Sequence, residues 1–236
     1  MSGRSPRAEG APAPPGAARA HTLSNGVRVV CDPMPGLQTV ALSVVAGQGA
    51  RAEDAARSGW SHLLEHMVFK GAGGRSAREI VEAIEGQGGH INAATGYERT
   101  SFQVRALKHG LELGSAVVAD LILRPHLQAD ELAREKQVVG QEIAEAADTP
   151  DDLVFELAQA AAFEDQPLGR SILGTTRSIG KASPEGLGTW RAGRRGLRDR
   201  ASLARSLRDW RTACGETRTA WRRSSKAARA RCAWRR

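Results

Sequence analysis

Cysteine is scarce in this chain of 236 residues, and the three present, Cys31, Cys214 and Cys232, form no CxxC pair and no even framework. That argues against a disulfide-stapled scaffold and reads as a reduced, intracellular chain, with the cytoplasm as the expected compartment. No stretch approaches the ~18 consecutive apolar residues of a membrane-spanning helix, so no membrane span is expected. The opening segment, MSGRSPRAEGAPAPPGAARA, holds three Arg and four Pro and lacks an apolar core. It does not read as a secretory signal and is expected to be a disordered lead-in. Internal repeats are absent as well.

Positive charge is plentiful overall, at a formal +8, yet most of the chain lacks it. Residues 191–236 hold 15 Arg and one Lys against Asp199, Asp209 and Glu216, a net +13, which leaves everything before Arg191 mildly acidic. Any nucleic-acid or membrane-surface reading therefore concerns the tail alone. Trp190, Trp210, Trp221 and Trp234, four of the five tryptophans, also fall at or beyond this boundary. No strand or helix period runs through the segment. Arg and Trp multiply when a GC-rich gene is read out of frame, so the run from about residue 193 reads as a frameshift product on a truncated protein. The alternative is a genuine basic arm that binds RNA or anionic surfaces through interleaved Trp. No folded nucleic-acid module is visible, and nucleic acid is not expected as a partner.

What the chain does contain is a run of well-punctuated elements between residues 21 and 192. SNGVRVVCD predicts a short strand after an Asn-Gly turn, and TVALSVVAG (39–47) a longer, more apolar one suited to the centre of a sheet. Trp60–Phe69 reads as a helix. Ser76 and Glu79 form a capping box for a second helix that ends at Gly86. GQGGHINAA follows as a glycine-rich return. TSFQVRA alternates Phe102, Val104 and Ala106 inward, as a half-buried strand does. Two further helices are predicted, Leu111–Leu123 before Pro125 and Asp130 to about Ala147 before Pro150. Strands and helices do not alternate strictly, so the fold class is α+β.

The helix from Trp60 carries His62-Leu63-Leu64-Glu65-His66. Residues three and four apart share one helix face, so His62, Glu65 and His66 point the same way. Two imidazoles on successive turns can grip one Zn²⁺, and the adjacent carboxylate can then handle protons. The competing reading is a surface helix with two solvated histidines. A third ligand must come from elsewhere, and ADELAREKQVVGQEIAEAADTPDD offers several acids. Glu135 and Glu142 lie two turns apart and face the same way; Val138, Val139 and Ile143 put Glu142 at the margin of an apolar stripe. Spacing alone does not rank one above the other.

From about His21 to Ile179 the chain resembles the N-terminal half of the pitrilysin/insulinase family of zinc metallopeptidases, which includes the mitochondrial processing peptidases. The pieces that carry the resemblance are LSNGVRVV, GWSHLLEHMVFKGAGGRSAREI, GGHINAATGYERTSF, ELAREKQVVGQEIAEAADTPDD and PLGRSILGT. It implies a metallohydrolase half-domain with a mixed or antiparallel sheet flanked by helices, acting as a metalloendopeptidase with one Zn²⁺ per chain. In that family a liganding glutamate follows the inverted motif at a typical distance, inside a VVxxEI-like helix, and the position that matches here is Glu142 in VVGQEI. The implied roles are His62, His66 and Glu142 as zinc ligands, Glu65 as general base and Glu135 as the acid that orients them. Asn92 and Ala93 match positions on an edge strand that pairs with extended substrate; a turn cap is the other reading of Asn92. The implied partners are a peptide or unfolded-protein substrate and a second peptidase half or subunit. The family's second half has no counterpart here, which leaves open a catalytically incomplete partner subunit. The expected organisation is thus a lead-in over 1–20, a zinc-peptidase domain over 21–192 and the tail over 193–236.

Overall fold

A computed structural model describes residues 18–23, 26–34 and 36–193. Most of the expected lead-in and nearly all of the Arg/Trp-rich tail lie outside the described residues. The described residues divide into two compact units between Leu37 and Gln38.

The described part of the first unit is an antiparallel hairpin of β1 (Arg19–Thr22) and β2 (Arg28–Cys31), with Thr22 opposite Arg28. Its turn places Gly26 at a φ of 85°, a conformation glycine adopts without a Cβ clash and the Asn-Gly pair predicts. Among the described residues, regular structure begins at Arg19, two residues before His21. Cys31 ends β2, and the other two cysteines, Cys214 and Cys232, lie outside the described residues.

The second unit is built on a three-stranded antiparallel sheet in the order β3 (Thr39–Ala46), β7 (Thr100–Leu107), β6 (His90–Thr95). The most apolar strand is not the central one. Among the described residues β3 pairs on one side only, and its residues alternate between exposed and half-buried, with Val45 open to solvent. β7 takes the centre and buries Thr100, Phe102 and Val104 on one face. Apolarity measures burial of the faces, whereas centrality is set by which edges pair. The glycine-rich return is itself partly strand, since His90 onward forms β6.

Helices cover this sheet. α3 (Leu111–Leu123) packs on β3 and β7, while α1 (Trp60–Val68) and α2 (Ala77–Glu85) pack against β6. The expected capping box at Ser76 and Glu79 is present, and its hydrogen bonds hold the exposed Glu79 carboxyl below its usual range. A two-residue ribbon, β4 (Gly71–Ala72) with β5 (Arg75–Ser76), joins α1 to α2. α4 (Ala129–Asp148) lies against α1 and against α5 (Pro150–Ala162). α6 (Thr176–Gly180) and α7 (Pro184–Gly193) both contact α1. The core combines Leu63 and Met67 of α1, Ile80, Val104, Val117, Val118, Leu121, Val139 and Leu187, each no more than 2% exposed.

α5 is a helix where the sequence predicts only the end of α4. Pro150 stops one helix and occupies the first turn of the next, where its missing N–H is not needed. Val154, Phe155 and Leu157 are exposed on it, and without a buried stripe its periodicity gives little signal.

Candidate metal centre

α1 is short, nine residues, and is divided sharply between two sides. Leu63, Leu64, Met67 and Val68 are buried in the core, whereas His62, Glu65 and His66 are half-buried and face α4. The 3.6-residue repeat leaves this polar strip no other course once Leu63 and Met67 are fixed inside.

Three ligand-type groups converge there. The Nε2 atoms of His62 and His66 stand 3.3 Å apart, and each is 3.6 Å from Oε2 of Glu142 on α4. Four ligands arranged tetrahedrally about 2.1 Å from a zinc ion would be roughly 3.4 Å from one another. His62, His66 and Glu142 are the one group of three or more His, Cys, Asp or Glu among the described residues with such mutual closeness. The Oε2 atoms of Glu65 and Glu142 and Nδ1 of His62 are buried without a hydrogen-bond partner among the described residues. Buried polar atoms left unpaired are costly, and clustering them in one place is the mark of a ligand-binding pocket. The donor set therefore fits a divalent cation of the zinc type.

Glu135 occupies a different position. Its Oε2 accepts a hydrogen bond from Nδ1 of His66 at 3.0 Å, and its Oε1 pairs with Nζ of Lys70 at 2.7 Å. A proton on Nδ1 leaves the Nε2 lone pair of His66 free and aimed toward His62 and Glu142. Burial, aided by the neighbouring His66, lowers the His62 pKa from 6.5 to about 4. His62 is thus a neutral donor at neutral pH. The two rings meet edge to face, with centroids 4.6 Å apart.

The sequence-predicted residues divide accordingly. His62, Glu65, His66, Glu135 and Glu142 come together at the α1–α4 contact. Asn92 and Ala93 lie on β6, opposite Gln103 and Phe102 of β7. Asn92 is exposed on one face of the strand and Ala93 is buried on the other. β6 touches the helix through Thr95, whose hydroxyl donates to the Ser61 carbonyl at 3.5 Å. Sequence reasoning missed Lys70. It sits one turn beyond His66, but nothing in the sequence indicates that it meets Glu135, an acid on a much later helix.

Two imidazoles and a carboxylate from two contacting helices, with a further acid hydrogen-bonded to one ring, make up a donor set of the kind that holds a metal ion. Residues 28–176 match the family described as Insulinase (Peptidase family M16), and the chain belongs to that family. Over 157 residues it is 42% identical to an uncharacterized zinc protease of Rickettsia bellii, covering 66% of this chain and 38% of the relative. Over 166 residues it is 36% identical to a probable mitochondrial-processing peptidase subunit beta of Schizosaccharomyces pombe, covering 70% of this chain and 36% of the relative. The chain thus spans less than two fifths of the length of these relatives. The fold matches a protease from Helicobacter pylori with a TM-score of 0.71 at 23% identity, over 76% of this chain and 44% of that one. The expected α+β half-domain is the fold observed. No helix among the described residues is long and apolar enough to cross a membrane.

Proposed function

We propose that the chain carries the zinc site of a metalloendopeptidase, with His62, His66 and Glu142 as ligands and one Zn²⁺ per chain. The convergence of two Nε2 atoms and Oε2 of Glu142 at tetrahedral-edge distances supports this reading most directly. When bound, zinc supplies a Lewis acid that polarises a carbonyl and brings a water close to ionisation at neutral pH. Glu65 takes the proton from the attacking water and returns it to the leaving amine, a role open to its unpaired buried Oε2. Glu135, held by Lys70, keeps the His66 ring in one tautomer and one orientation.

The substrate in this reading is a peptide or unfolded protein bound in extended form. Among the described residues β6 pairs only with β7, so its outer edge can accept a further strand through the backbone at Asn92 and Ala93. Ala93 contributes through its backbone alone, because its side chain is buried. A second peptidase half or subunit completes the enclosure. The name of the S. pombe relative, a subunit, supports that part.

The test is metal content and peptide hydrolysis for the wild type and Glu65→Gln. Both should bind one zinc, with cleavage lost in the variant by at least about 100-fold. A wild type that takes up no zinc sinks the proposal. Zinc bound without cleavage by either protein identifies a site whose second half must be added back.

A further inference from the structure

We propose that Glu53 is a positioning residue for the metal centre: its buried carboxylate caps the helix that carries His62, Glu65 and His66 and so sets where they stand. This rests on the metal-centre reading above. The first N–H groups of a helix have no partner within it, and α1 cannot supply one from its own N-cap. That residue is Gly59, at a φ of 86°, with no side chain to offer. A Cβ there would lie 2.3 Å from the Leu173 carbonyl oxygen, so a self-capping Ser or Asp does not fit.

Glu53 does the capping from further upstream. Its Oε2 accepts from the Gly59 N–H at 2.7 Å and its Oε1 from the Ser61 N–H at 2.6 Å. Ser61 immediately precedes His62. Glu53 is only 3% exposed, a costly place for a carboxylate without such donors. The two amides and the positive end of the helix dipole offset that cost. The Arg170 guanidinium donates to the Glu53 backbone carbonyl, which ties the residue to the chain beyond α5.

The same helix end makes further contacts with the chain around Ser178. Ser178 Oγ donates to the Ser58 carbonyl at 2.7 Å, and Nε1 of Trp60 donates to the Ser178 carbonyl at 3.0 Å. Gly174 approaches so closely that a Cβ would come within 2.3 Å of the Ser58 oxygen. With Ser58 and Trp60 held by Ser178 and by the close approach of Gly174, the Glu53 carboxylate is the contact that bears on the first helical amides. So short a helix passes any displacement of its first turn directly to His62, and a metal centre tolerates only about 0.5 Å of misplacement.

Cobalt(II), bound to the full chain, is the probe. Glu53→Gln keeps the size and one acceptor oxygen but turns an NH₂ toward a backbone N–H. Its cobalt Kd should rise by about tenfold or more, and the visible absorption of the bound cobalt should shift. Ser76→Ala, which removes the cap of α2 away from the site, should leave both as in the wild type. Wild-type affinity and spectrum in Glu53→Gln overturn the proposal, and so does an equal loss in Ser76→Ala. A wild type that binds no cobalt removes the metal-centre reading and this proposal with it, an outcome distinct from the first two. Should Glu53→Gln not fold, amide exchange on the wild type decides. Cap and metal are then coupled reciprocally, so cobalt must slow exchange at Gly59 and Ser61 more than at Ile84. Equal slowing overturns the proposal.

Discussion

Glu135 and Glu142 stand two turns apart on one face of α4, and their surroundings differ in almost every respect. The Glu135 side chain is 6% exposed and both oxygens are engaged, one by Lys70 and one by His66. The Glu142 side chain is 37% exposed, and its Oε2 sits between two imidazoles with no hydrogen bond of its own. The deeply buried acid is thus paired at both oxygens, whereas the acid with the more exposed side chain keeps a buried Oε2 unpaired. Burying a carboxylate is tolerable when a cation and a ring N–H satisfy it, whereas a ligand must keep an uncommitted lone pair toward an open space. Under the proposed roles, burial therefore separates the orienting acid from the liganding one.

The strongest way to break this distinction is to remove each acid in turn. Glu142→Ala should weaken zinc binding by well over the roughly 100-fold that loss of an orienting residue costs, as read by competition with a chromophoric chelator. Glu135→Gln should cost about 10- to 100-fold, and Lys70→Met less than that. Equal losses for the two acids would mean that the division drawn here is wrong.

Protons offer a subtler probe, best applied to the metal-free protein. His62 has a folded pKa of about 4 against 6.5 for the ordinary imidazole. The unfolded chain therefore binds the proton more readily, and stability falls as pH drops from 6.5 toward 4. Between pH 7 and pH 5.5 the loss should be about 1 kcal/mol, measured by urea unfolding in chelator, and His62→Gln should remove most of it. Stability that climbs on acidification over this window would contradict the burial argument.

The smallest effect is expected far from the site. Ser76→Ala deletes an exposed cap on α2 and should lower stability by about 0.5–1 kcal/mol with zinc affinity unchanged. A change in affinity there would show that general stability, rather than local orientation, governs metal binding.

Much of this was legible in the residues. The single face shared by His62, Glu65 and His66 follows from helix geometry, and the Ser76–Glu79 cap from local chemistry. The strand of Phe102 and Val104 follows from alternation. The order of the strands was not legible, because the apolarity of TVALSVVAG reports how its faces are covered and not which edges pair. Nor was α5, whose exposed Val154, Phe155 and Leu157 follow a proline that reads as a stop. Glu53 stands in no motif of the sequence, since its partners are backbone amides, which leave no trace in side-chain identity.

By itself, then, the sequence determined the pair of imidazoles, the carboxylate between them and the presence of two candidate acids on one later helix face. Those features depend on bond geometry within a few turns of chain. Only the tertiary structure decided that Glu135 meets His66 across 69 residues, that Lys70 joins it, and that Glu142 is left to face both rings. Such assignments depend on how α1 and α4 pack, and packing is settled by buried side chains such as Leu63, Met67 and Val139 that take no part in the chemistry.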